Sequence, residues 1–128
     1  MSNATEQVKQ VIDDLIQTAT SYDVEALDRI YHDELKVLMI DHQDNLSEAN
    51  KDAFIELFKA KKQAGDPPMD TWAKYHSVVA SGDSAHVLLS RKNNLSGHPM
   101  KLLLSIDLKR SEERWQVYRE VIHLQPDA

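Results

Sequence analysis

The sequence predicts an α+β domain, and three observations predict it. Apolar residues recur at helical spacing early in the chain, they recur at a spacing of two from Thr71 onward, and short polar turns separate the later runs. Consecutive strands joined by short turns pair antiparallel. The expected order is three helices and one early strand, then a four-strand meander.

The first helix is expected over 5–20. Val8, Val11, Ile12, Leu15, Ile16 and Ala19 form its apolar stripe, Lys9, Asp13, Asp14 and Gln17 its wet face, and Thr5 its N-cap. Residues 1–4 stand outside it, as a polar leader or a cloning remnant without order of its own. Asp23 caps a second helix over 23–32, with Val24, Leu27, Ile30 and Tyr31 on one side. Leu35 to His42 is short, apolar and bounded by polar clusters, which reads as a strand. The third helix covers 50–64, with Phe54, Leu57 and Phe58 on one face. Gly65 and Pro67-Pro68 stop it.

The remaining strands are expected over 70–81, 84–96, 98–109 and 114–124. Gly82-Asp83, Ser96-Gly97 and the charged loop Arg110 to Glu113 separate them. In the third of these strands Met100, Leu102, Leu104, Ile106 and Leu108 all point one way. The residues expected deepest are Ile12, Leu15, Leu27, Ile30, Phe54, Phe58, Leu102, Leu104, Ile106, Trp115 and Val117.

The chain has 128 residues, the size of one domain, so 1–128 reads as a single unit. Its net charge of -6 argues against a general nucleic-acid binder, which needs a basic face. No apolar run approaches a membrane span, and no secretion signal opens the chain, so the reading is cytoplasmic. The absence of cysteine excludes disulfides, thiolate zinc sites and a cysteine nucleophile. There is no glycine-rich phosphate loop, no HExxH and no G-x-S-x-G elbow, so no metal and no cofactor is expected.

Tyr22-Asp-Val-Glu-Ala-Leu-Asp-Arg-Ile-Tyr-His-Asp-Glu34 resembles the segment that carries helix two into the first strand in the NTF2-like superfamily, the SnoaL-like or ketosteroid-isomerase-like fold. Asn50 to Phe58 resembles its third helix. Leu102 to Leu108 with Trp115-Gln-Val117 resembles its last hairpin, nearest in flavour to the branch named for lumazine binding. The resemblance implies a cone: three helices packed on a strongly bent antiparallel sheet, holding a small apolar ligand and often dimerising through the outer sheet face. The first strand is apolar on both faces, with Val37 and Met39 on one and Leu38 and Ile40 on the other, so a homodimer is expected.

Against the ketosteroid isomerases, this chain has Leu15 where the resemblance implies a tyrosine, Met39 where it implies the base, and Leu104 or Ser105 where it implies the late acid. Apolar side chains cannot move a proton, so that catalytic set is missing. The candidate pocket residues are Met39, Asp41, Trp72, His76, Met100, Leu104, Arg119 and His123. Asp41 ends its strand, where it could sit at the pocket rim but reads more readily as a turn residue. Arg119 shares the phase of Trp115 and Val117, which points it into the cone toward a carboxylate or a ligand anion. The leading reading is a ligand-binding module without catalysis. The alternative is a small isomerase, lyase or cyclase with Asp41, His76 or His123 as base and Arg119 as clamp. A plainer option is an interaction domain with a filled cone.

Overall fold

The computed structural model describes residues 3–93, 100–112 and 114–126. Helix α1 runs Ala4–Thr20 and α2 Val24–Ile30. Strand β1 follows at once as Tyr31–Ile40. Then come β2 Leu46–Asn50, α3 Lys51–Gln63, β3 Ala73–Ser81, β4 Ser84–Asn93, β5 Met100–Ser111 and β6 Arg114–Pro126. Each expected helix and strand is present, with ends moved by a few residues. The expected Ser96-Gly97 turn, the strand ends beside it and Glu113 lie outside the described residues, as do Met1 and Ser2.

Residues 3 and 4 belong to the fold. Asn3, not Thr5, caps α1 by accepting from the Glu6 amide at 2.8 Å, and Ala4 opens the helix. At the other end of α1, Tyr22 takes a left-handed conformation at φ 58. Its amide bonds back to Ala19 and that of Asp23 to Thr18, the paired contacts of a Schellman cap. Asp23 then caps α2. The buried Tyr22 hydroxyl donates to the Pro67 carbonyl at 2.8 Å, and the Met69 amide donates to Thr20. Those bonds tie the 67–69 segment to the end of α1.

The six strands form one open sheet in the order β2-β1-β6-β5-β4-β3. β3 to β6 are the expected antiparallel meander. The sheet as a whole is mixed, because β1 pairs parallel with β6. No hairpin joins those two strands, so the short-turn argument never applied to them. The edge strand β2 pairs antiparallel with β1 and was not expected. Leu-Ser-Glu-Ala-Asn carries one half-buried residue, Ala49, and so leaves no apolar alternation to read.

The core lies between α1, α3 and the inner sheet face. Val8, Ile12, Leu15, Ile16 and Ala19 of α1 meet Val87 and Leu89 of β4 and Leu102, Leu104, Ile106 and Leu108 of β5. All the residues expected deepest are buried except Ile30, which is half-buried at the end of α2. Lys51 at the start of α3 is buried too. Its ammonium bonds the Asp28 carbonyl at 2.9 Å and the Asp33 carboxylate at 3.1 Å, fastening α3 to α2 and β1.

Candidate functional site: a cavity with two buried charges

A cavity of about 60 Å³ opens between the helices and the sheet. That is room for a few waters or a compact molecule, well short of a drug-sized site. Leu15, Ile16 and Ala19 of α1, Phe54 and Phe58 of α3, Met69, and Leu102, Leu104 and Ile106 of β5 make its wall apolar. Three polar side chains interrupt that wall: Tyr31 of β1, Arg91 of β4 and Glu120 of β6. Two other hollows, beside Arg110 and beside Glu48, are open depressions without a buried charge.

Each polar residue reaches the cavity for a local reason. Arg91 continues the inward phase of Ala85, Val87 and Leu89. Its Nε donates to the Trp72 carbonyl at 2.9 Å and its Nη2 to the Asp70 carbonyl at 2.8 Å, so it clamps the segment that leads into β3. Tyr31 opens β1 with its ring edge-on to Phe54, 5.7 Å between centroids. Glu120 is inward because β6 contains a bulge. Leu108 pairs with Val117, but Asp107 pairs with Arg119, so Tyr118 is an extra residue. The extra residue shifts the phase by one. Val117 is inward before it, and Glu120 and Ile122 are inward after it.

Glu120 sits between Val37 of β1 and Ile106 of β5. Burial in those apolar surroundings pushes its carboxyl up to about 7, against the smaller opposing pull of the Tyr31 hydroxyl and Arg91. The Tyr31 hydroxyl donates to Glu120 Oε1 over a long 3.5 Å. Burial, and then the Glu120 charge, holds that phenol well above its ordinary range. Burial also lowers Arg91, with Asp70 and Glu120 opposing.

The bulge overturns the expected direction of Arg119. Arg119 is exposed on the outer sheet face opposite Asp107, and His123 is exposed on the same face. His76 is also outside the cone. It is the extra residue of a second irregularity, in β3, and its Nε2 lies 2.8 Å from Ser90 Oγ. Asp41 is a turn residue: its carboxylate accepts from the amides of Gln43 and Asn45, both at 2.9 Å. The bonds from Asn45, backbone first, hold its carboxyl below the ordinary carboxylate value. Trp72 is exposed, with the Lys92 ammonium 5.0 Å from its ring centroid. Met100 is buried in the core, and Met39 packs half-buried against it, both away from the cavity. Leu104 lines the cavity, and so does Leu15.

Sequence reasoning missed Tyr31, Arg91 and Glu120. One signal was available for Arg91, whose alternation with Val87 and Leu89 marks it inward if their face is the core. No such signal exists for Glu120, because nothing in Val-Tyr-Arg-Glu announces a bulge. Among the described residues no cluster of His, Asp and Glu could hold a metal ion, and no helix is long and apolar enough to cross a membrane.

The outer sheet face carries two mixed rows. Leu88, Ser105, Val121 and Leu38 are successive register partners, and Leu103, His123, Ile40 and Leu46 lie in the next row. Leu103 is 38% exposed and Leu46 58%.

No protein-family model matches the sequence, and no curated protein sequence matches it. Solved structures do. An NTF-2 like protein of unknown function from Silicibacter pomeroyi DSS-3 superposes with a TM-score of 0.75 at 21% identity, over 93% of each chain. An NTF2-like protein of unknown function from Shewanella baltica OS155 gives 0.78 at 12% identity, over 99% of this chain and 100% of that one. A ketosteroid isomerase-like protein from Erwinia carotovora atroseptica SCRI1043 gives 0.67 at 16% identity, over 97% and 98%. These likenesses show the fold: the chain has the NTF2-like architecture.

Proposed function

We propose that the protein is a small-molecule-binding module, acting as a homodimer, whose cone takes one compact, largely apolar molecule. The observation that carries this reading is the cavity, apolar over most of its wall, with Tyr31, Arg91 and Glu120 at one side. An apolar wall supplies affinity and a few fixed polar groups supply orientation. A panel of compact aromatic and aliphatic alcohols, amides, ketones and carboxylates tests it by NMR. At least one class should shift the resonances of Leu104, Phe54 and Phe58. Ala19→Leu, which fills the cavity from α1, should abolish the shifts with the fold intact. No shifts from any class would reject the reading.

A second reading is a small isomerase, lyase or cyclase, and the observation in its favour is Glu120. A carboxyl at about 7 both accepts and returns a proton at neutral pH. The role given to Asp41, His76 or His123 would then fall to Glu120, and that of Arg119 to Arg91. Incorporation of deuterium from solvent into an enolisable ketone, lost in Glu120→Gln, would favour the enzyme over the module.

The dimer part of the proposal rests on the two mixed rows of the outer face, where half-buried Leu38, Leu88 and Val121 stand beside exposed Leu103.

A further inference from the structure

Two buried side chains of opposite charge share the cavity without touching. Arg91 is 8% exposed and Glu120 4%. Among the described residues no ion pair within 4.0 Å joins them. The guanidinium is held from behind by the Trp72 and Asp70 carbonyls through Nε and Nη2, which leaves Nη1 without a protein partner. The carboxyl meets Tyr31 through Oε1, which leaves Oε2 without one. Both residues line the cavity, and no enclosed side-chain polar atom of the described residues is unpaired. Arg91 of β4 and Glu120 of β6 thus bring a guanidinium and a carboxyl to one small apolar space from two strands separated by β5.

We propose that this cavity is a site for a compact monocarboxylate, gripped between Arg91 Nη1 and a protonated Glu120, and that binding takes up one proton from solvent. The proposal rests on the reading of the cone as a ligand site and names the ligand's class. A neutral ligand would leave the buried guanidinium unpaired, and a cationic one would be repelled by it. A carboxylate satisfies it with a charge-assisted bond. Two carboxylates at one site cannot both ionise, so the arriving anion fixes the proton on Glu120, which then donates to it. The charged and titratable groups facing Glu120 are Tyr31 from β1 and Arg91 from β4. Its register neighbours Val37 and Ile106 are apolar, as are the α1 and α3 side chains across the cavity. Asp70 and Tyr75 act on Arg91, and Tyr75 donates to Asp13 of α1 at 2.6 Å.

The full chain is titrated with butyrate and benzoate, and with butyramide and benzamide as neutral isosteres, by NMR at pH 6 and pH 8. Calorimetry in two buffers of different protonation enthalpy counts the protons. The carboxylates should bind and the amides should not. Carboxylate affinity should fall about tenfold from pH 6 to pH 8, as expected for one proton held at about 7. At pH 8 close to one proton should be taken up. The carboxylate binding that Glu120→Gln retains should show neither the pH dependence nor the proton uptake. Amides binding as well as carboxylates, or carboxylate affinity flat from pH 6 to pH 8, would overturn the monocarboxylate site and leave the ligand-binding reading standing. Failure of all four probes overturns the carboxylate site. The ligand-binding reading falls with it only if the wider alcohol and ketone panel is also silent.

Discussion

Glu120 couples the stability of the fold to pH. Its carboxyl ordinarily titrates at 4.5 and here is raised to about 7 by burial. Below about 4.5 the folded and unfolded chains both hold the proton, and stability is at its full value. As pH rises from there to about 7, the unfolded chain releases the proton and the folded chain keeps it, so stability is lost across that window. At ~1.4 kcal/mol per pH unit the loss is of order 3 kcal/mol. Glu120→Gln should flatten this slope and be the more stable protein at pH 8, with the two nearly equal at pH 4. Urea titrations at pH 4, 6 and 8 check it. Wild type gaining stability over Glu120→Gln as pH rises would mean that the carboxylate is ionised and paired in the fold. A second prediction concerns packing. Leu104→Ala enlarges the cavity from β5 and should cost ~2–5 kcal/mol in a denaturant titration. A loss within error would place Leu104 outside the core. The reversal between Arg119 and Glu120 explains why the site was less legible than the core. Apolar positions such as Leu102, Leu104 and Ile106 announce their own phase by alternating with Lys101, Leu103 and Ser105 along β5, with Leu103 the only apolar residue on the outer side. A charged residue announces nothing, and its phase is borrowed from Trp115 and Val117 on the far side of a one-residue bulge.

Among the elements, α3 shows how local chemistry sets a boundary. Asn50 caps it by accepting from the Ala53 amide at 2.9 Å. Gly65 closes it at φ 71, where the Gly65 amide bonds Lys62 and the Asp66 amide bonds Lys61. Asn50→Ala should cost ~1 kcal/mol. Gly65→Ala should cost a further ~1–2 kcal/mol by conformation alone, because a Cβ there would meet nothing within 4 Å. The two changes lie at opposite ends of the helix, so thermal melts of the single and double variants should show additive losses. Marked non-additivity would show that α3 frays as a unit. Caps of this kind are side-chain signals, which is why the helix ends were readable to within a few residues. β2 sends no such signal. It is a polar edge strand recruited by the backbone of β1, and its pairing appears only when the chain is folded.

For the whole molecule, the outer face of the open sheet carries apolar side chains that the core does not use. Three of its exposed or half-buried leucines, Leu38, Leu88 and Leu103, lie on adjoining rows across β1, β4 and β5, with Val121 between them on β6. The sequence showed part of this as strands apolar on both faces. It could not show the rows, because they depend on the parallel β1–β6 register and on the bulge. In a two-fold dimer through this face, any one substitution enters the interface twice. Leu103→Glu would therefore bring two carboxylates into an apolar contact. A cost of ~3 kcal/mol from their desolvation and mutual repulsion corresponds to about 100-fold weaker association. Sedimentation equilibrium should give a dimer for wild type and a monomer for Leu103→Glu, with unchanged far-UV circular dichroism. Leu103 faces away from the cavity, so the variant should still bind whatever ligand the wild type binds, unless dimerisation itself holds the sheet bent. A monomeric wild type at high protein concentration would reject the dimer. A dimeric Leu103→Glu would move the interface to another face, with the edge strands β2 and β3 the next surfaces to test.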